Sequence, residues 1–282
     1  MIDPDYLNAF IDAALKEDIG DGDHTSLACI PSLNEGKAQL IIKEKGILAG
    51  VDVALQVFHR LDPELRITAF ITDGNKVFPG DVVFKMEGRI ISILQGERLA
   101  LNIMQRMSGI ATKTGEYVEK LSGTNAKLLD TRKTTPGMRL LEKEAVRVGG
   151  GYNHRLGLFD MIMLKDNHID FAGGIENAID AVHIYLQTLD KDLKIEIEAR
   201  NINDVERILR HGKINRIMFD NFDIETTKKA VKKVKNRYET ESSGNINLDN
   251  IRDYALCGVD YISVGALTHQ IKSLDMSLKA VK

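Results

Sequence analysis

The sequence predicts an α/β protein in two parts: short strands around one helix, then a small or incomplete parallel α/β barrel. Three observations point there. Residues 36–96 alternate or run apolar in short stretches divided by turn signals. From about residue 112 the order becomes apolar run, polar cluster and helical pattern, repeated, which is the grammar of a parallel sheet. The chain has 282 residues, so its second part falls short of the ~250 that a full eight-unit barrel takes.

In order, residues 1–20 form an acidic amphipathic helix with Leu7, Phe10, Ile11, Ala14 and Leu15 on one face. They lack the basic start and cleavage pattern of a signal peptide. Strands are expected at 38–43, 46–49, 67–71, 82–86 and 90–94, with turns at Asp73-Gly74-Asn75 and Pro79-Gly80-Asp81 and a helix over 51–61. Leu99, Ile103, Met104 and Met107 set a connecting helix over 97–108. Strands follow at 126–129, 161–164, 194–197, 216–219 and 261–264, with a more polar sixth at 238–241. Helices are expected over 203–211, 224–235 and 248–257, and over 140–148, where Lys143 and Arg147 read as a solvated face. The tail suits packing back on the first part. The division is 1–110 with the tail 271–282, and 111–270.

Composition narrows the class. With 43% hydrophobic and 28% charged residues the chain is globular, and no run approaches the ~18 apolar residues of a membrane span. Two cysteines, Cys29 and Cys257, lie far apart without metal-type spacing, as expected in a reducing, cytoplasmic setting. A net charge of −3 gives no general reason to bind nucleic acid, so any cationic site is local.

A parallel barrel places its chemistry at the C-terminal strand ends. The first two ends carry cations: Arg132, Lys133, Arg139, His154, Arg155 and Lys165. The third and fourth carry Glu198 and Asp220, and the last two carry Ser243, Gly244, Gly265 and His269. Arginine and lysine hold carboxylates and phosphates. A carboxylate pair suits Mg²⁺, which keeps part of its water and bridges to phosphates. Small residues at late strand ends let backbone N–H groups reach a phosphate. The pattern describes a polyanionic substrate and a metal-bound diphosphate. No convincing nucleophile is present, which suits direct displacement.

Some of these residues have plainer readings. His59, His168, His183 and His211 read as structural hydrogen-bonding residues, whereas His154 follows three glycines beside Arg155 and reads as functional. Gly149 to Gly151 either end a helix or serve as backbone beside the substrate. Glu196 and Glu198 are read as pointing to opposite sides, one into the barrel, and Asp166 and Asn167 as braces for Lys165.

The motifs Glu17-Asp18…Gly22-Asp23…Thr25, the run 130–168, Glu196-Ile-Glu198, Phe219-Asp220-Asn221-Phe222, Glu241-Ser-Ser-Gly244 and Gly265-Ala-Leu-Thr-His269 resemble the quinolinate phosphoribosyltransferase family over essentially the whole chain. His24 is a local departure. The resemblance implies an N-terminal α/β sandwich plus an incomplete, about seven-stranded barrel. It implies transfer of phosphoribosyl from phosphoribosyl diphosphate to quinolinate with decarboxylation, giving nicotinate mononucleotide in NAD biosynthesis. It implies Arg132, Arg139, His154, Arg155 and Lys165 around the diacid, with Lys133 between it and the donor. Glu198 and Asp220 would bind Mg²⁺ and the ribose hydroxyls, and the family spacing favours Glu198 over Glu196 as the inward carboxylate. Ser243, Gly244, Gly265 and His269 would take the 5′-phosphate. A homodimer or larger oligomer is implied, in which Arg98 completes the neighbouring subunit's site and touches both substrates. Competing readings are a nicotinate phosphoribosyltransferase, a Schiff-base aldolase using Lys165, and a biotinyl or lipoyl carrier whose modified lysine would be Lys85.

Overall fold

The computed structural model describes residues 2–189 and 191–281; Lys282, the last residue of the expected tail, lies outside them. The chain divides into two compact units. One comprises Met1–Gly115, Thr134–Gly150 and Leu267–Lys282, the other Glu116–Lys133 and Gly151–Ala266.

Helix α1 (Pro4–Ile19) begins at Asp3, whose carboxylate accepts the Asp5 and Tyr6 N–H groups, with Pro4 as its first residue. Leu7, Ile11 and Leu15, four apart, form its buried stripe. Next come α2 (His24–Cys29), β1 (Glu35–Ile42), β2 (Gly46–Ile47), α3 (Val51–Leu61), β3 (Arg66–Ala69), β4 (Lys76–Val77), β5 (Val82–Arg89) and α4 (Ile90–Lys120). The strand expected at 90–94 is instead the start of α4, a helix of 31 residues. Ile90, Ile91, Ser92, Ile93 and Leu94 form a short apolar run, which periodicity cannot divide between buried strand and buried helix. Lys85 lies within β5, paired with Gln39 of β1 and Thr68 of β3. It is therefore not at a hairpin tip, and the carrier reading fails.

The chain continues through β6 (Lys127–Leu129), α5 (Arg139–Val148), β7 (Ile162–Leu164), α6 (Asp166–Phe171), α7 (Ile175–Leu186), β8 (Ile195–Ala199), α8 (Ile202–His211), β9 (Arg216–Asp220) and α9 (Ile224–Val234). It ends with β10 (Glu239–Ser243), α10 (Ile251–Leu256), β11 (Tyr261–Ser263), α11 (Ala266–His269) and β12 (Met276–Val281).

In the first unit, the strands run in the antiparallel order β12-β1-β5-β3. Residues 134–150, assigned by the sequence division to the barrel part, belong to this unit. Glu142 of α5 is fully buried and meets Arg106 of α4 at 2.6 Å. Arg106 also donates to the Thr135 Oγ1 at 2.7 Å and the Thr268 carbonyl at 3.2 Å, so one guanidinium ties three segments together. Gly149 follows because the chain passes α4 too closely for a side chain: a Cβ there would lie 2.4 Å from the Ala111 carbonyl. Lys143 is buried, contrary to its reading as solvated, while Arg147 is exposed and pairs with Glu144. Helix α5 is covered on Leu141, Glu142, Lys143, Ala145 and Val146, so charge did not mark its outer face.

The second unit holds one parallel sheet, β6-β11-β10-β9-β8-β7, of six strands among the described residues. Tyr152 adds a parallel bridge to Leu129 on the other side of β6, the rudiment of a seventh strand. At ~4.8 Å per strand, a flat sheet would set Tyr152 roughly 24 Å from β8. Yet His154, two residues on, meets Glu196 of β8 at 3.0 Å. The sheet therefore curls into an incomplete barrel with those side chains inside it.

Replacing Arg106 with leucine strands the buried Glu142 carboxylate and should cost roughly 3–5 kcal/mol of stability, read from urea unfolding.

Candidate active site

Strand parity decides what lines the barrel. Residues i and i+2 share a face, so Glu196 and Glu198 both point inward and Ile195, Ile197 and Ala199 point to the opposite face. The expectation that the two glutamates point to opposite sides is corrected. Both are buried, and they sit at different depths.

The deeper level is a cluster of buried ionisable side chains. Glu196 lies 3.0 Å from His154 Nε2, and Glu241 of β10 lies 3.6 Å from the same atom. Arg216, at the start of β9, donates to Glu241 at 2.8 Å and Glu239 at 3.1 Å and stands 3.9 Å from Glu196. Its guanidinium lies 3.9 Å above the Tyr261 ring. Burial raises both the Glu196 and the Glu241 carboxyls to about 7. Burial opposes the charge on Arg216, but Glu241, Glu196 and Glu239 together raise it.

The upper level lies at the C-terminal strand ends. Lys165, just past β7, meets Glu198 at 2.6 Å, and the Asp166 N–H donates to the other oxygen of Glu198 at 3.3 Å. Asp166 thus braces Glu198 rather than Lys165. His168 Nδ1 accepts the Lys165 N–H at 3.0 Å, a structural bond, as are the bonds of His59, His183 and His211. Asp220, half-buried at the end of β9, accepts from Asn221 at 3.0 Å, and the Asn221 N–H donates to the Ser243 carbonyl at 2.9 Å. At Gly244 a Cβ would fall 2.2 Å from Asn221 Oδ1, so glycine lets these two strand ends meet. Gly265 follows β11.

The cations are set by Asp130, fully buried at the end of β6. Its carboxylate accepts the His154 N–H at 2.8 Å and the Asn153 side chain at 2.6 Å. The Arg155 N–H donates to His154 Nδ1 at 2.7 Å, and its guanidinium to the Met161 carbonyl at 3.1 Å. Burial lowers the Arg155 pKa, and the neighbouring charge of Arg132 lowers it further. Arg132 carries a buried Nε–H with no acceptor. Two guanidiniums repelling each other, one with an unmet donor, form a seat for an anion. Lys133 is exposed. Arg98, exposed on α4, Arg139, which donates to Thr134 Oγ1 at 3.0 Å, and His269, exposed at the end of α11, belong to the first unit.

Sequence reading missed the roles of Asp130, Arg216 and Glu241. Their signal was available: charged residues within or directly ending strands that are otherwise apolar. Lys165 donates to a carboxylate instead of standing unpaired in an apolar pocket, which removes the basis of the aldolase reading.

Fold and site define the class: an α/β barrel protein with a cluster of cations and carboxylates at its C-terminal strand ends. Models of the quinolinate phosphoribosyl transferase N-terminal and C-terminal domains match residues 23–108 and 110–279. A relative from Nicotiana tabacum named quinolinate phosphoribosyltransferase [decarboxylating] 1b is 44% identical over 98% of this chain and 83% of its own. A probable nicotinate-nucleotide pyrophosphorylase [carboxylating] from Bacillus subtilis is 41% identical over 93% of this chain and 89% of its own. The NadC crystal structure from Streptococcus pyogenes superimposes with a TM-score of 0.93 at 39% identity, covering 100% of this chain and 99% of that one. The chain belongs to the quinolinate phosphoribosyltransferase family.

A carboxyl whose pKa is raised on folding favours the fold below its unfolded value, and that contribution is lost as pH rises through the folded value. Wild type should therefore lose stability between about pH 4.5 and 7 relative to Glu241→Gln. Urea midpoints at pH 5 and pH 8 should show the variant gaining on wild type.

Proposed function

We propose that this chain transfers phosphoribosyl from 5-phosphoribosyl 1-diphosphate to quinolinate and decarboxylates the product, giving nicotinate mononucleotide, diphosphate and CO₂ for NAD biosynthesis. The observation that carries this reading is the pair of buried Arg155 and half-buried Arg132, whose buried Nε–H is unmet. One carboxylate would leave much of that charge unanswered; a pyridine dicarboxylate answers it.

Arg132, Arg155 and Lys165 hold the diacid so that its ring nitrogen faces C1′ of the donor. The nitrogen forms a bond to C1′ as the bond to diphosphate breaks, with positive charge developing on the ribose. Glu198 and Asp220 lie on adjacent strands, where carboxylates stabilise that charge and hold the ribose hydroxyls. Lys133 serves the space between acid and donor, and Ser243, Gly244 and Gly265 offer small strand ends to the 5′-phosphate. Arg139 for the acid and His269 for the phosphate are part of the same proposal. Once alkylated, the ring is a pyridinium. The bond from C2 to its carboxylate breaks with the electrons kept by the ring, CO₂ leaves, and C2 takes up a proton.

Glu198 and Asp220 are hard oxygen donors suited to Mg²⁺, and Asp220 meets one amide through one of its oxygens. When bound with the diphosphate, the ion supplies positive charge that eases its departure. Both oxygens of Glu198 are engaged, so Lys165 turning to the acid is what makes Glu198 available. The assembly is a homodimer or larger, with Arg98 reaching the neighbouring subunit's substrates.

Among the described residues no helix is long and apolar enough to cross a membrane. Cys29 and Cys257 are both free thiols, and a cytoplasmic setting is part of the same proposal.

Purified protein given Mg²⁺, phosphoribosyl diphosphate and quinolinate should form nicotinate mononucleotide and CO₂, and release no CO₂ without the donor. Turnover of nicotinate in its place would overturn the diacid reading. Arg98→Ala should lower kcat about a hundredfold with an unchanged unfolding midpoint; near-normal turnover would remove the shared site.

A further inference from the structure

Beneath the substrate cations lies a layer that the reaction does not use: Glu196, Glu241 and Arg216 around the ring of His154. We propose that Glu196 and Glu241 are positioning residues. They fix His154 as the neutral tautomer protonated at Nε2 and, through its Nδ1, set the Arg155 backbone for the substrate carboxylate. This rests on the assignment of a pyridine diacid as substrate.

The tautomer follows from the bonding. A ring nitrogen that accepts an N–H carries no proton, and His154 Nδ1 accepts the Arg155 N–H at 2.7 Å. The ring proton therefore sits on Nε2, which lies 3.0 Å from Glu196 and 3.6 Å from Glu241. A doubly protonated ring would turn a second N–H against the Arg155 N–H. One ring nitrogen is thus bonded to the residue that follows, and the other faces the carboxylate floor at close range without an aligned hydrogen bond. The floor is itself held: Arg216 stands 2.8 Å from Glu241 and 3.9 Å from Glu196 on its other side.

The consequence reaches Arg155. Its N–H is fixed by His154 and its guanidinium by the Met161 carbonyl, so ring orientation sets where this buried cation points. Asp130 holds the same turn through the His154 N–H. His154 is therefore an orienting residue rather than a direct ionic partner of the acid. Glu196 and Glu241 act one step further back, without touching substrate.

The test has two parts. In ¹⁵N NMR of the intact enzyme at neutral pH, His154 should show an unprotonated Nδ1 and a protonated Nε2. The opposite tautomer, or a doubly protonated ring, overturns the proposal. In steady-state kinetics, Glu196→Leu and Glu241→Leu should raise KM for quinolinate about tenfold or more and leave KM for phosphoribosyl diphosphate within about twofold. Glu196→Gln, which still offers His154 an acceptor, should stay near wild type. Folded leucine variants with unchanged KM for quinolinate, or with both KM values raised alike, overturn it. If the leucine variants do not fold, the tautomer decides alone. If wild type does not turn over quinolinate, the substrate assignment fails while the tautomer still reports on the histidine.

Discussion

Carboxylates inside a barrel must be neutralised before anything can be built above them, because a charge removed from water without a partner costs several kcal/mol. Here Glu196 and Glu241 share one guanidinium, Arg216, and one imidazole, His154. The requirement fixes much else. It holds the His154 loop over a sheet that has to curl to bring the two together, and it ties Tyr152 along the outer side of β6. It also leaves the next level up, Lys165 with Glu198, as a separate pair at the strand ends. The lower level is buried and structural; the upper one is open to exchange.

That exchange is the chemical point of the upper level. Lys165 neutralises Glu198, while Arg132 and Arg155 repel each other nearby. Under the proposed function, a dianion entering the site would satisfy the arginines and compete for the lysine, which would release Glu198 toward the ribose. Binding of the acid would thus prepare the carboxylate for the second substrate with no change of fold.

Much of this was legible in the sequence. A parallel barrel sends its chemistry to strand ends, so the positions of Arg132, Lys165, Glu198, Asp220 and Ser243 could be read without coordinates. Gly244 was legible as a small residue, though its reason, the approach of Asn221, was not. Other features failed for definable causes. Residues 90–94 are apolar enough for either a strand or a buried helix. The grouping of 134–150 with the first unit depends on Arg106 and Glu142, 36 positions apart, a contact that no local pattern announces. Lys143 looked solvated because charge usually marks an exposed face, yet its helix is covered on most sides. The misplacing of Glu196 was a misapplied rule: two residues apart on a strand means the same face.

The most direct test of the anion seat is thermal unfolding with ligand, which needs no turnover. Quinolinate should raise the unfolding temperature of wild type, because it satisfies the Arg132 Nε–H and relieves the repulsion with Arg155. Nicotinate at the same concentration should raise it far less, and Arg132→Gln should abolish the quinolinate effect. Equal shifts from both acids, or an undiminished shift in the variant, would contradict a site built for two carboxylates.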